Sequence, residues 1–89
     1  MSLSQDQKES VIEKYQKHDN DTGSATVQVG LLTKRINKLV NHLKEHPKDH
    51  NSRRGLLKMV GKRRRLLKYL KRENEEAYEE LSEELGVEV

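Results

Sequence analysis

The stretch HNSRRGLLKMVGKRRRLLKYLKR, residues 50–72, decides how this chain folds. Its apolar residues Leu56, Leu57, Val60, Leu67 and Leu70 recur at the spacing of one long helix. On a wheel turning about 100° per residue, Lys58, Lys62, Arg65, Tyr69 and Arg72 fall within roughly 80° of one another, while Leu56, Val60, Leu67 and Leu70 lie opposite. One side is for burial; the other carries four cations and an aromatic ring. Within the helix no acid follows Asp49 until Glu73, so ion pairs along the helix cannot neutralise that side. Arg63 points toward the apolar side, where its stem can run along the core or its head can reach the glutamate-rich end of the chain.

Working outward, Asp49 is placed to cap this helix and Pro47 to end the one before it. That preceding stretch, about Ala25 to Glu45, carries Val29, Leu32, Ile36, Leu39, Val40 and Leu43 in one stripe. Before it, His18 to Gly23 reads as a turn-rich loop, with Ser24 as the next cap. An N-terminal helix begins at Ser4, where Ser4 and Gln7 make a capping-box pattern, and presents Val11, Ile12 and Tyr15. On the C-terminal side Asn74 caps a short helix with Glu75 and Glu76 at its positive end, Tyr78, Leu81 and Leu85 inward, and Gly86 as its stop. No segment alternates like a strand. The expected fold is all-α with four helices: an antiparallel three-helix bundle plus a mobile N-terminal helix. It forms one domain over residues 1–89, with 1–21 as mobile helix and loop and 22–89 as the bundle.

Composition narrows the function. Eighty-nine residues with 31% apolar and 3% aromatic content give a thin core and no deep pocket, which excludes most enzyme architectures. The absence of cysteine excludes disulfides, thiolate chemistry and cysteine-ligated zinc. No apolar run is long enough to span a bilayer and residues 1–7 lack the layout of a secretory signal, so the protein is expected to be cytoplasmic, with no membrane partner. The net charge of +3 hides a polarised chain: −2 over residues 1–21, +4 over 22–48, +9 over 49–72 and −8 over 73–89. The cationic middle is what a polyanion would meet. Cations spread over about 20 Å of helix can contact several phosphates, and Tyr69 among them can stack on a sugar or base.

A second cluster, His42, His46, Asp49, His50 and Ser52, gathers at the bend between the two long helices. Three chemistries fit these residue types. Imidazoles one turn apart could hold a metal, though a single capping Asp in a cationic chain is poor support, and no metal or other cofactor is expected. Ser, His and Asp could form a hydrolytic triad, but no nucleophile elbow, oxyanion site or pocket accompanies them. Short polar groups at a rigid bend could also reach base edges in the shallow minor groove of an RNA helix. Plain capping by Asp49 and Ser52 is compatible with this last reading. Gly55 and Gly61-Lys62 only imitate a phosphate loop, because the spacing is one too long and Arg63 replaces the required hydroxyl. The run Lys62 to Arg65 imitates an import tag but lies within the helix.

Asp21-Thr-Gly-Ser24, Val27-Gln28-Val29, His46 through Asp49, Ser52-Arg-Arg-Gly-Leu-Leu57, Gly61-Lys-Arg-Arg-Arg-Leu-Leu67 and Tyr69-Leu-Lys-Arg72 together resemble the small-subunit ribosomal protein S-fifteen family in its bacterial form. The resemblance covers most of residues 20–73. It implies a bundle of three helices with a mobile first helix, and a structural, non-enzymatic role on the ribosome. In that role the chain binds a three-way junction and an adjacent helix in the central domain of the small-subunit ribosomal RNA and helps assemble the platform. By position, Thr22, Gly23, Gln28 and Arg35, with Arg65, Tyr69 and Arg72, would contact the junction, and Lys58 and Lys62 share their face. His42, Asp49 and Ser52, with His46 beside them, would read the minor groove of the adjacent helix. The implied partners are small-subunit ribosomal RNA, neighbouring platform proteins, large-subunit ribosomal RNA and, in some bacteria, the protein's own messenger RNA, with a monomer outside the ribosome. Two departures stand out: Asn51 replaces a usual second His, and the ending Leu85-Gly-Val-Glu-Val89 is acidic where relatives are usually basic. The competing reading is a helical DNA-binding or protein-interaction module. The lack of a spare apolar seam for dimerisation, the lack of a recognition helix with exposed Asn or Gln, and the setting of Tyr69 among cations all favour RNA.

Overall fold

The computed structural model describes residues 20–89, which form three helices: α1 (Asn20–Glu45), α2 (His50–Glu73) and α3 (Glu75–Leu85). Among the described residues the expected four-helix count is corrected to three, and no strand occurs. The helix expected to begin at Ser4, and the mobility expected of it, lie outside the described residues. The loop expected over 18–23 is also corrected where it is described, because Asn20 to Gly23 already belong to α1. Packing overrode the turn chemistry there. Thr22 and Thr26 are buried; the Thr26 hydroxyl donates back to the Gly23 carbonyl at 2.7 Å, and Thr22 is tied to the far end of α2. Ser24, expected as a cap, instead accepts from Gln28 Nε2 at 3.3 Å inside the helix.

The caps of the other two helices fall where the side chains dictate. Asp49 accepts from the Ser52 backbone N–H and opens α2. Asn74 alone separates α2 from α3: its N–H donates to the Leu70 carbonyl and its side chain accepts from the Ala77 N–H. Gly86, in the left-handed region at φ 69°, ends α3 as only glycine does without strain.

The two long helices run antiparallel across the tight bend at residues 46–49, and α3 folds back against one end of the pair. The core lies at that end, where Ala25 and Val29 of α1 meet Leu67 and Leu70 of α2 and Ala77, Tyr78 and Leu81 of α3. Leu32, Ile36 and Leu39 continue the seam along α1, and Gly55 lies beside the Leu39 side chain. Val40, Leu57 and Val60 stay exposed among the described residues, because α3 is too short to reach the first half of α2. The last residue closes over the core: the Val89 N–H donates to the Tyr78 hydroxyl at 3.0 Å and Lys71 Nζ donates to the Val89 carbonyl at 3.1 Å.

Leu70 is wholly buried and Leu57 is 67% exposed, although both belong to the same apolar pattern. Leu70→Ala is therefore expected to cost about 3 kcal/mol in urea unfolding, and Leu57→Ala less than about 0.5 kcal/mol.

Candidate nucleic-acid interface

Burial of Leu67 and Leu70 sets the rotation of α2, and Lys58, Lys62, Arg65 and Arg72 emerge exposed. Among the described residues Lys58, Lys62 and Arg65 meet no carboxylate, and Arg72 Nε meets its chain neighbour Glu73 at 2.9 Å. That pair is largely solvated and contributes little, so a phosphate can replace it. Tyr69 is only half outward: its ring packs partly on the core cluster, with the Arg72 guanidinium 5.8 Å from its centroid. Arg63, left between two destinations by the sequence, reaches across to Thr33 Oγ1 on α1 at 3.2 Å, and burial lowers its pKa.

That cross-helix bond orients α1 as well. Residues two apart on a helix point about 160° away from each other. Arg35 and Arg65 therefore each point away from the Thr33–Arg63 contact. Gln28, Arg35 and His42 recur every two turns and so form one stripe of α1. Arg35 is half-buried, and its Nε is buried without a hydrogen-bond partner. Of the junction candidates, Thr22 and Gly23 are buried. The Thr22 hydroxyl accepts from Asn74 Nδ2 at 3.3 Å, a link between residues 52 positions apart that the sequence did not signal.

The bend residues come together as a bonded set. Asp49 Oδ2 accepts from the Ser52 hydroxyl at 2.7 Å and sits 2.8 Å from His42 Nε2, while Oδ1 accepts from the Ser52 N–H at 3.0 Å. Because an ionised carboxylate only accepts, His42 must carry its proton on Nε2. The bonds from the Ser52 hydroxyl, the His42 ring and the Ser52 N–H, in that order, hold the Asp49 carboxyl well below the usual carboxylate range. His46 is exposed, with its ring 4.7 Å from that of His42. Arg53 braces the bend by donating to the Pro47 carbonyl at 2.8 Å, a contact the sequence reading missed because nothing in local spacing marks it. Among the described residues, no three His, Cys, Asp or Glu side chains gather as a metal site would require.

The profile of a family described as Ribosomal protein S15 matches residues 7–88. The small ribosomal subunit protein uS15 of Carboxydothermus hydrogenoformans is 59% identical over 87 residues, covering 98% of each chain. That of Pelotomaculum thermopropionicum is 58% identical with the same coverage. A Synechococcus protein of the same name is 54% identical over 89 residues, covering all of this chain and 98% of its own.

A carboxyl whose pKa is depressed by folding adds stability that is fully present above the unfolded value, near 4, and is lost as pH falls through the native value. Asp49→Asn is therefore expected to destabilise the protein at pH 7, with the gap to wild type narrowing once pH drops below about 4. Denaturant midpoints measured from pH 2 to pH 7 check this, and a gap independent of pH would contradict it.

Proposed function

The chain belongs to the ribosomal protein S15 family, and from that premise we propose that it docks on a three-way junction and an adjacent helix of small-subunit ribosomal RNA and so helps assemble the platform. Membership makes it a structural constituent of the small ribosomal subunit, not an enzyme, working on the ribosome in the cytoplasm. Its partners are small-subunit ribosomal RNA and other ribosomal proteins. No described helix is long and apolar enough to cross a membrane.

The observation that carries the finer reading is the exposed face of Lys58, Lys62, Arg65 and Arg72, which no acid on α2 before Glu73 interrupts; the proposal sets Arg35 of α1 beside it. Phosphates supply what that face lacks, and each cation that binds one releases a counterion. Arg35 gains in particular, since an acceptor that drew its guanidinium outward would relieve a buried unpaired donor. Gln28 and Tyr69 lie along the same face and offer an amide and a ring edge to nucleotides at the junction. Thr22 and Gly23 serve the junction through the backbone they shape, because their side of α1 is closed.

The bend supplies selection. The Ser52 hydroxyl proton is committed to Asp49, which leaves its oxygen as an acceptor held in a fixed orientation. In a minor groove the guanine amine is the base-edge donor, and such an acceptor distinguishes it from bases that lack it. His42 and Asp49 hold the hydroxyl in place, and His46 extends the polar edge. Contacts with large-subunit ribosomal RNA and with the protein's own messenger RNA would use these same surfaces.

Arg65→Ala and Arg72→Ala should each weaken binding to the junction RNA and lower its salt dependence by about one unit, with helicity unchanged. Filter binding from 50 to 300 mM salt tests this, and unaltered slopes in both variants would remove α2 from the contact. Ser52→Ala should cut the preference for the cognate helix over one with its G·C pairs replaced by about tenfold. An equal loss on both RNAs would argue against base reading.

A further inference from the structure

Asn74 is the single residue between α2 and α3, and it uses every polar group it has. Its N–H donates to the Leu70 carbonyl at 2.8 Å and its carbonyl accepts from the Tyr78 N–H at 3.0 Å. Its Oδ1 accepts from the Ala77 N–H at 3.1 Å. A backbone N–H can only donate, so the atom facing Ala77 must be the oxygen, and the amide nitrogen is thereby turned toward Thr22 Oγ1, 3.3 Å away. Three of these bonds already join α2 to α3. The fourth is different in kind, because it reaches back 52 residues to the first described turn of α1.

We infer that Asn74 is a positioning residue for RNA: through the Nδ2–Thr22 bond it fixes the start of α1 against the end of α2, and so aligns the two halves of the junction-binding surface. One half, Gln28 on the α1 backbone that Thr22 and Gly23 shape, lies on α1; the other, Tyr69 and Arg72, lies within five residues of Asn74 on α2. Without the bond, core packing at Val29 and Leu70 still holds the helices together, but the spacing of these two groups at the rim of the bundle loses this polar tie. The His42–Asp49–Ser52 set sits at the opposite end of α2 and does not depend on it. Asn74 therefore acts on one of the two RNA contacts and not on the other. This inference rests on the junction reading given above.

The test uses the full chain and a ribosomal RNA fragment carrying the junction and its adjacent helix, with affinity and backbone protection read together. Asn74→Ser keeps a capping oxygen for Ala77 but is too short to reach Thr22. Thr22→Val removes the hydroxyl while keeping the volume. Each variant should bind about fivefold more weakly, the double variant no more weakly than either, with junction protections lost and those of the adjacent helix retained. Unchanged affinity in Asn74→Ser overturns the inference. So does an effect confined to Thr22→Val, which would mean the hydroxyl touches RNA directly. Equal loss at both RNA regions also overturns it, by reducing Asn74 to a general stabiliser. Failure of the wild-type protein to protect the junction removes the underlying reading itself.

Discussion

Leu67 and Leu70, closed off from water among three helices, fix the rotation of α2, and that rotation decides where every cation on the helix points. A helix of 24 residues has no other means of telling its sides apart. With those two leucines inward, Arg63 is carried to Thr33, while Lys58, Lys62, Arg65 and Arg72 are carried to the opposite side. Gathering like charges this way costs stability in the free protein, and the segregation of glutamates onto α3 does nothing to relieve it along most of the helix. Phosphates lying on the face, as proposed, would recover that cost.

A second constraint is the bend. Asp49 caps α2, receives the Ser52 hydroxyl and holds the His42 ring across the turn, so one carboxylate links the ends of both long helices. The same bonds that make the turn rigid also orient the polar atoms that a groove would meet. Under the proposed function, structural and recognition roles would coincide there, with capping and base reading as two consequences of one arrangement.

Much of this was legible in the sequence because local rules sufficed. Asp49, Asn74 and Gly86 are caps whose chemistry is fixed within a few residues, and the period of Leu67 and Leu70 predicts their burial. The pattern also predicted burial of Val60, and there it outran the structure, because periodicity gives a face but not the length of the element that covers it. The start of α1 was misread for a related reason: HDNDTG is turn-like locally, and only the packing of Thr22 and Thr26, invisible in sequence, keeps its last residues helical. In the candidate site, the cationic face and the bend cluster followed from spacing alone. The burial of Thr22, the half-inward ring of Tyr69 and the partner of Arg63 are tertiary facts with no local signal.

The central claim is that one particular side of α2 meets RNA, and amine reactivity tests it most directly. The protein, free and bound to small-subunit ribosomal RNA, is acetylated under limiting reagent and each lysine is quantified by mass spectrometry. Lys58 and Lys62 should be strongly protected on binding, with Lys71, turned toward the chain end at Val89, reacting much as before. Equal reactivity of Lys58 and Lys62 in the free and bound protein would contradict it.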